Sequence, residues 1–439
     1  MTSNPRLTPA GFIVAGLQSR SGKTTLTLAL MSALKQKGIE VAPFKAGPDY
    51  LDPFWHQAVC QRPSYSLDTF MVGKGHCRDL FYRKRGTALG IVEGVMGLYD
   101  GKSGVGGAGS TADLARTLEL PVILVVNARG MAGSIVPLVA GFVQAAQGFT
   151  IGGIIANQVG SDRHAQLLRT LLDDNQLPPL VGWMERRDDM ILRERHLGLI
   201  QPEEESAPPW DKLVAALHME PQTLLQAVQK TASPPSSTPS FPQAGSGLLE
   251  GRRIAVAKDR AFCFIYPANL EWLQAEGAEL CFFSPLAGEP LPNNSQGLWL
   301  PGGYPELYCP QLSTSTSWQS IHHFAQQGGT ILAECGGMMA LGESLTDKEG
   351  KSWPMAAVLP IHTTMGNKLA GLGYRQEHSG ARGHEFHHSK RATTSLLPAF
   401  ELDRGDGGVA HLGVRASYVH WYFASQPRVC ARWLGGIFP

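Results

Sequence analysis

Two segments far apart in the chain carry side chains able to do chemistry. The first is Gly16-Leu17-Gln18-Ser19-Arg20-Ser21-Gly22-Lys23-Thr24-Thr25. It follows a short apolar run and opens a helical pattern, which is the setting a phosphate-binding loop needs. Backbone N–H groups of such a turn, with the helix N-terminus behind them, hold phosphate oxygens. On this reading Gly16, Ser21, Gly22, Lys23, Thr24 and Thr25 bind ATP. Lys23 sets a charge near the terminal phosphates, and the Thr24 hydroxyl ligates Mg2+. The second segment is Leu332-Ala333-Glu334-Cys335-Gly336-Gly337, where a strand pattern ends at a cysteine and a helical pattern begins. That is a nucleophile elbow, and the helix dipole there favours a thiolate with a lowered pKa. A thiol amidase also needs a base distant in sequence, and His420 follows a short β-like stretch at 416–419. Backbone N–H groups at Gly303, in the turn 300–304, and at Gly336 can hold an oxyanion.

Other residues fall between these two centres. Lys45-Ala46-Gly47-Pro48-Asp49-Tyr50-Leu51-Asp52-Pro53 lies just past an expected strand end. It is either a solvated turn or a loop for Mg2+ and substrate, with Asp49 toward the metal and Asp49, Tyr50 and Leu51 toward substrate. Glu93 ends a buried-type strand, where an acid is costly unless it meets a cation, so it is expected to face the metal. Asp100 is a turn acid, a support for the metal or a substrate contact. The run Gly101–Gly109 is expected to be a mobile loop. Asn157 is either a turn residue or a contact to the base of ATP. His384, His387 and His388 cluster in GHEFHHS without a matching ligand set, so Glu385 and His387 are expected to touch substrate or support an interface.

These groups need a scaffold, and the pattern supplies one. Continuous apolar runs at 11–16, 39–45, 89–93, 121–126 and 151–156 suit parallel strands covered on both faces, with a helix over 23–37. The second half repeats the plan, with strands at 252–258 and 278–284, a helix at 269–277, and strand-then-turn patterns at 298–303 and 329–337. The fold class is therefore α/β in two domains. A Pro/Ser-rich linker at 231–250 separates a domain at 1–230 from one at 251–439. The chain has 439 residues with 38 basic and 37 acidic side chains, so bulk charge does not recruit nucleic acid. No apolar run approaches a membrane span and no secretory leader is evident. Seven cysteines, none in a CxxC pair, suit a reduced cytoplasmic protein. Nothing in the pattern sets an oligomeric state.

The segments GLQSRSGKTT, KAGPDYLDPFWH, VEGVMGLYDG, RERHLGL, LPGGYPE, AECGGMMAL, GHEFHHS and SYVHWYF together resemble the cobyrinate a,c-diamide synthase family, in family order over nearly the whole chain. The first half resembles dethiobiotin synthetases. They share the long spacing from Gly16 to Gly22, and the extra lysine of partition ATPases is absent here, where Gln18 stands. The second half resembles class I glutamine amidotransferases, of flavodoxin-like fold. The resemblance implies ATP- and Mg2+-dependent amidation of two corrin carboxylates with nitrogen from glutamine, Cys335 as nucleophile and His420 as its partner. Free ammonia is mostly protonated and unreactive at neutral pH, so a shielded path for it between the halves is expected. The class I glutamate two residues after the histidine is Tyr422 here, which leaves open what orients the imidazole. Hydrogenobyrinate or nickel-sirohydrochlorin are alternative substrates. A regulatory P-loop ATPase with an inactive amidase half is the alternative from another class, opposed by Cys335, the glycine turns and His420.

Overall fold

The computed structural model describes residues 10–102, 104–186, 194–195, 198–199, 202, 210–231 and 247–435. Residues 232–246 of the expected linker, and Arg193, His196 and Leu197 of RERHLGL, lie outside the described residues. The chain divides into two compact units, Met1–Pro242 and Gln243–Pro439.

The first unit is built on an eight-stranded sheet. Its strands are β1 (Gly11–Gly16), β2 (Val41–Ala46), β3 (Tyr65–Leu67), β4 (Leu89–Gly97), β5 (Val122–Asn127), β6 (Ile151–Val159), β7 (Leu180–Glu185) and β8 (Leu217–His218). They lie in the order β8-β7-β6-β5-β1-β4-β2-β3, all parallel except the β7–β8 pair. Every residue of β1, β2 and β3 is buried, so helices cover both faces, and this is why the sequence shows unbroken apolar runs instead of alternation. Helix α1 (Lys23–Gln36) lays Leu26, Leu30 and Leu34 into the same core as Phe12, Val14 and Ile91. Each such buried side chain contributes about 1.5–3 kcal/mol.

The second unit carries a six-stranded sheet of β9 (Arg253–Ala257), β10 (Glu279–Phe283), β11 (Gly297–Leu300), β12 (Thr330–Glu334), β15 (Val409–His411) and β16 (Val414–Ser417). The order β10-β9-β11-β12-β16-β15 is parallel up to the last, antiparallel strand. This is the doubly wound, flavodoxin-like arrangement, which binds ligands beyond the carboxyl ends of its strands. In β11, Leu298 and Leu300 join one core and Trp299 the other, so both faces are filled. Beside it stands a three-stranded antiparallel sheet of β13 (Gly371–Gln376), β14 (Arg382–His387) and β17 (His420–Trp421).

Most expected elements lie within a residue or two of their observed bounds. β4 runs on past the expected 89–93 to Gly97, and the helix expected at 269–277 is Pro267–Ala275. The small sheet of β13, β14 and β17 was not foreseen. Its strands are rich in His, Arg and Gly and carry no apolar signal.

Candidate active sites

In the first unit the turn after β1 is a phosphate loop by geometry as well as by sequence. Gly22, with φ 85°, caps α1, and Lys23 folds back over the loop to reach the carbonyls of Met96 (2.6 Å) and Gln18 (3.2 Å). Burial and the neighbouring Lys45 ammonium push the Lys23 pKa down to about 8. Thr24 Oγ1 donates to Glu93 Oε1 at 2.6 Å, which leaves its lone pairs for a cation. Asn157, expected to meet a base or to sit in a turn, is buried under the loop, where its Nδ2 donates to Ser21 O at 3.1 Å.

Glu93 does meet a cation, but one from the protein itself. Lys45 and Glu93 are register partners on β2 and β4, and Lys45 Nζ lies 3.1 Å from Glu93 Oε1 and 2.6 Å from Asp52 Oδ2. His56 holds the other oxygen at 2.8 Å and reaches Ser64 Oγ at 3.0 Å with its second nitrogen. Burial works against the charge on Glu93, but Lys45 and His56 outweigh it and hold the carboxyl well below the usual range. Asp52 goes the other way, raised by burial and by the nearby Asp49 and Glu93. Asp49 Oδ1 accepts the N–H groups of Leu51 and Asp52 at the start of α2 (Leu51–Cys60), and its side chain is 30% exposed. Tyr50 and Leu51 are buried there. Asp100 is exposed, adds to the field at Lys23, and accepts from Gly97 N at 2.9 Å.

Among the described residues no group of three or more His, Cys, Asp or Glu is placed to hold a metal ion. Mg2+ is ordinarily held by one or two carboxylates together with substrate phosphates; Thr24 and Glu93 place oxygens 2.6 Å apart beside the phosphate loop, and Asp49 Oδ2 lies 3.8 Å from the Lys45 ammonium that Glu93 also meets. Described residues of the 101–109 run, expected to be mobile, make hydrogen bonds: Lys102 N to Ala108 O, Gly106 N to Tyr99 O, Gly109 N to Thr69 Oγ1 and Arg116 to Gly106 O.

In the second unit Cys335 stands between β12 and α3 (Gly336–Leu341) with φ 45° and ψ −107°. A non-glycine residue there is strained, and the strain presents the side chain at the turn. Its N–H is held by Ser417 O at 2.7 Å. His420 comes to it around Gly302: a Cβ on Gly302 would lie 2.2 Å from His420 Cε1 and 3.3 Å from Cys335 Cβ. A Cβ on Gly336 would lie 3.1 Å from Gly303 N, so the two backbone N–H groups singled out for an oxyanion are neighbours beside the thiol. Glu334 Oε1 accepts Trp421 N–H at 3.1 Å and ties the chain before Cys335 to the chain after His420.

The expected lowering of the thiol pKa is not met. Burial and the Glu306 carboxylate push Cys335 up to about 12, against the opposing Gly336 N–H. A helix of six residues does not offset that loss of water. Burial, with His384 and His387 nearby, holds His420 well below its usual range. The resting pair is therefore a neutral thiol and a neutral imidazole. The GHEFHHS side chains are engaged within the unit: His384 with Tyr266 OH (3.2 Å), His387 Nδ1 with Ser389 O (2.8 Å), and Glu385 in a buried ion pair with Arg375.

The sequence reading left Lys45 without a partner, took Gly302 only as part of the 300–304 turn, and passed over His56 and Tyr266. The signal for Lys45 was present, because it and Glu93 both end β-type runs. The pairing itself required knowing that β2 lies beside β4.

Family models match both halves: a CobQ/CobB/MinD/ParA nucleotide binding domain over residues 12–199 and a CobB/CobQ-like glutamine amidotransferase domain over 253–428. Fold and matches define a class, a glutamine amidotransferase that carries its own nucleotide-binding half, which supports the use of ATP. Proteins named cobyrinate a,c-diamide synthase are similar along the full length. That of Herminiimonas arsenicoxydans is 37% identical, covering 98% of both chains, and that of Syntrophotalea carbinolica 39%, covering 97% of both. The Salmonella typhimurium protein is 37% identical over 96% of this chain and 97% of its own. The chain belongs to the cobyrinate a,c-diamide synthase family. No helix among the described residues is long and apolar enough to cross a membrane.

Proposed function

We propose that this chain converts the a and c carboxylates of cobyrinate to amides, using ATP and ammonia released from glutamine, in cobalamin biosynthesis. The observation that carries the reading is the presence in one chain of a strained thiol set against a histidine and of a phosphate loop backed by buried carboxylates. The corrin substrate follows from the names of the relatives. Residues 1–230 act as the synthetase domain, 231–250 as the linker and 251–439 as the glutaminase domain. All seven cysteines are free thiols, which suits a cytoplasmic enzyme.

In the glutaminase half, Cys335 Sγ attacks the side-chain amide carbon of glutamine. His420 takes the thiol proton during attack and hands it to the departing ammonia. Because the resting pair is neutral, charge appears only as the bond forms, and the Gly303 and Gly336 N–H groups receive it on oxygen. Water then cleaves the thioester, giving glutamate and the free thiol. In the synthetase half, the turn from Gly16 through Ser21 and Gly22 to Thr25 cradles the phosphates, Asn157 braces it from below, and Lys23 meets the γ-phosphate. The corrin carboxylate attacks the γ-phosphorus, ADP leaves, and ammonia displaces phosphate from the acyl phosphate. Asp49, Tyr50, Leu51 and Asp100 are assigned to the substrate side. Thr24, Asp49 and Glu93 would hold Mg2+, whose chemistry is to spread phosphate charge.

The test uses the two nitrogen sources separately. Cys335→Ser should lose glutamine-driven amidation and keep ammonia-driven amidation. Lys23→Ala should lose both. A Cys335→Ser enzyme that fails with ammonia as well, or a Lys23→Ala enzyme that still turns over, contradicts the division of labour.

A further inference from the structure

With Tyr422 where class I enzymes carry a glutamate, something else must fix the His420 ring. We propose that His384, backed by Tyr266, is the positioning residue that holds the His420 imidazole toward the Cys335 thiol. The inference rests on the glutaminase reading above and adds a residue to it.

The argument is geometric. His384 on β14 and His420 on β17 are direct register partners, so their side chains leave the small sheet on one face. Their rings lie stacked, 5.1 Å apart between centroids and inclined by 22°. His384 is held in turn, because Tyr266 OH lies 3.2 Å from its Nδ1. Tyr266 is 2% exposed and its ring packs 5.2 Å from that of Tyr422, the residue in the glutamate's place. At the Cε1 edge of the His420 ring is Gly302, so close that no side chain fits, and the Phe264 ring lies 6.0 Å away between centroids. The imidazole thus has a stacked ring on one face and backbone against its Cε1 edge. Rotation about its Cβ–Cγ bond turns an edge of the ring toward His384. Beyond His420, the Glu334 bond to Trp421 N–H fixes the main chain. A stacked ring positions the base without a buried anion, which this interior, 1% exposed at His420, would tolerate only with further partners.

The test measures kcat and KM for glutamine hydrolysis and, in parallel, ammonia-driven amidation of cobyrinate by the full-length enzyme. His384→Ala frees the ring and should lower the glutaminase kcat about 10- to 100-fold with KM changed less than about twofold, the scale of a roughly 1 Å misplacement. His384→Phe keeps a ring in place and should recover the rate to within about fivefold of the parent, while Tyr266→Phe, which loses one hydroxyl, should lower kcat a few-fold without moving KM. Ammonia-driven turnover should be unaffected in all three. A parental kcat in His384→Ala overturns the proposal. So does a His384→Phe enzyme that melts with the parent yet hydrolyses glutamine no faster than the alanine variant. If His384→Ala does not fold, the Phe variants decide alone: a loss larger than fivefold in folded His384→Phe refutes the stacking role. Cys335→Ser separates the two levels. Glutaminase activity surviving in that variant sinks the underlying reading, whereas its loss beside a fully active His384→Ala sinks only the role of His384.

Discussion

A single methyl group at Gly302 tests the arrangement on which glutamine hydrolysis depends. A Cβ there would sit 2.2 Å from Cε1 and 3.0 Å from Nδ1 of His420, and 3.3 Å from Cys335 Cβ. Restoring an ordinary 3.4 Å contact requires the imidazole to move by about 1.2 Å away from Gly302. Gly302 does not lie in the left-handed region, so alanine adds no backbone strain and the whole effect is the collision. Displacing a reacting group by about 1 Å costs on the order of 100-fold, or about 2.7 kcal/mol of barrier. Gly302→Ala should therefore lower kcat for glutamate release about 100-fold while ammonia-driven amidation continues at the parental rate. The assay is steady-state glutamine hydrolysis with thermal melting as the control for folding. A kcat within threefold of the parent, in a variant with an unchanged melting temperature, would mean that His420 is not where the reaction needs it.

Three further outcomes follow from the electrostatics. Lys45→Met leaves Glu93 and Asp52 without their buried cation and should cost about 3–5 kcal/mol in chemical denaturation; a loss under about 1 kcal/mol refutes the ion cluster as a structural element. With the Cys335 thiol raised to about 12, it is protonated at neutral pH. Inactivation of the glutaminase by iodoacetamide should then accelerate about tenfold per pH unit between pH 7 and 9, and a plateau below pH 8 would show a thiolate already formed. Lys23 loses its charge as pH rises through about 8. ATP binding, followed calorimetrically, should weaken above that pH by at most about tenfold per unit, and the slope should vanish in Lys23→Met.

The parts of the fold that the sequence displays are those whose physics is local. Buried parallel strands need apolar side chains on both faces, so GFIVAG, PVILVV and RIAVA stand out. A phosphate turn needs glycine at positive φ, so Gly22 beside Lys23 and Thr24 stands out. Cys335 is visible for the same reason, being squeezed between a strand and two glycines. What stays hidden is set by register and strand order. Nothing near Glu93 in sequence announces Lys45, because the two meet only when β2 pairs with β4. Nothing near His420 announces His384, because β14 and β17 carry no apolar pattern. The lowered thiol pKa expected from the helix dipole failed for a related reason: sequence shows the turn and the helix start but not the depth of burial, and here depth dominates.

That last difference separates the two centres on the roles proposed for them. Phosphoryl transfer begins with anions, so a site for it holds its charges before substrate arrives. Lys45, Glu93 and Asp52 are locked together, and Lys23, held low by burial and by Lys45, is the cation whose charge incoming phosphates would restore. Amide hydrolysis begins with a neutral carbonyl. A site holding a ready thiolate and imidazolium would bind charge that the ground state does not call for. Cys335 and His420 instead rest neutral, and in the proposed roles the Gly303 and Gly336 N–H groups receive a charge that appears on oxygen only during attack. The dyad can then do without a third, acidic member. A carboxylate would stabilise an imidazolium, and in a site that forms one only transiently the remaining need is orientation, which a stacked ring and a missing side chain at Gly302 can supply.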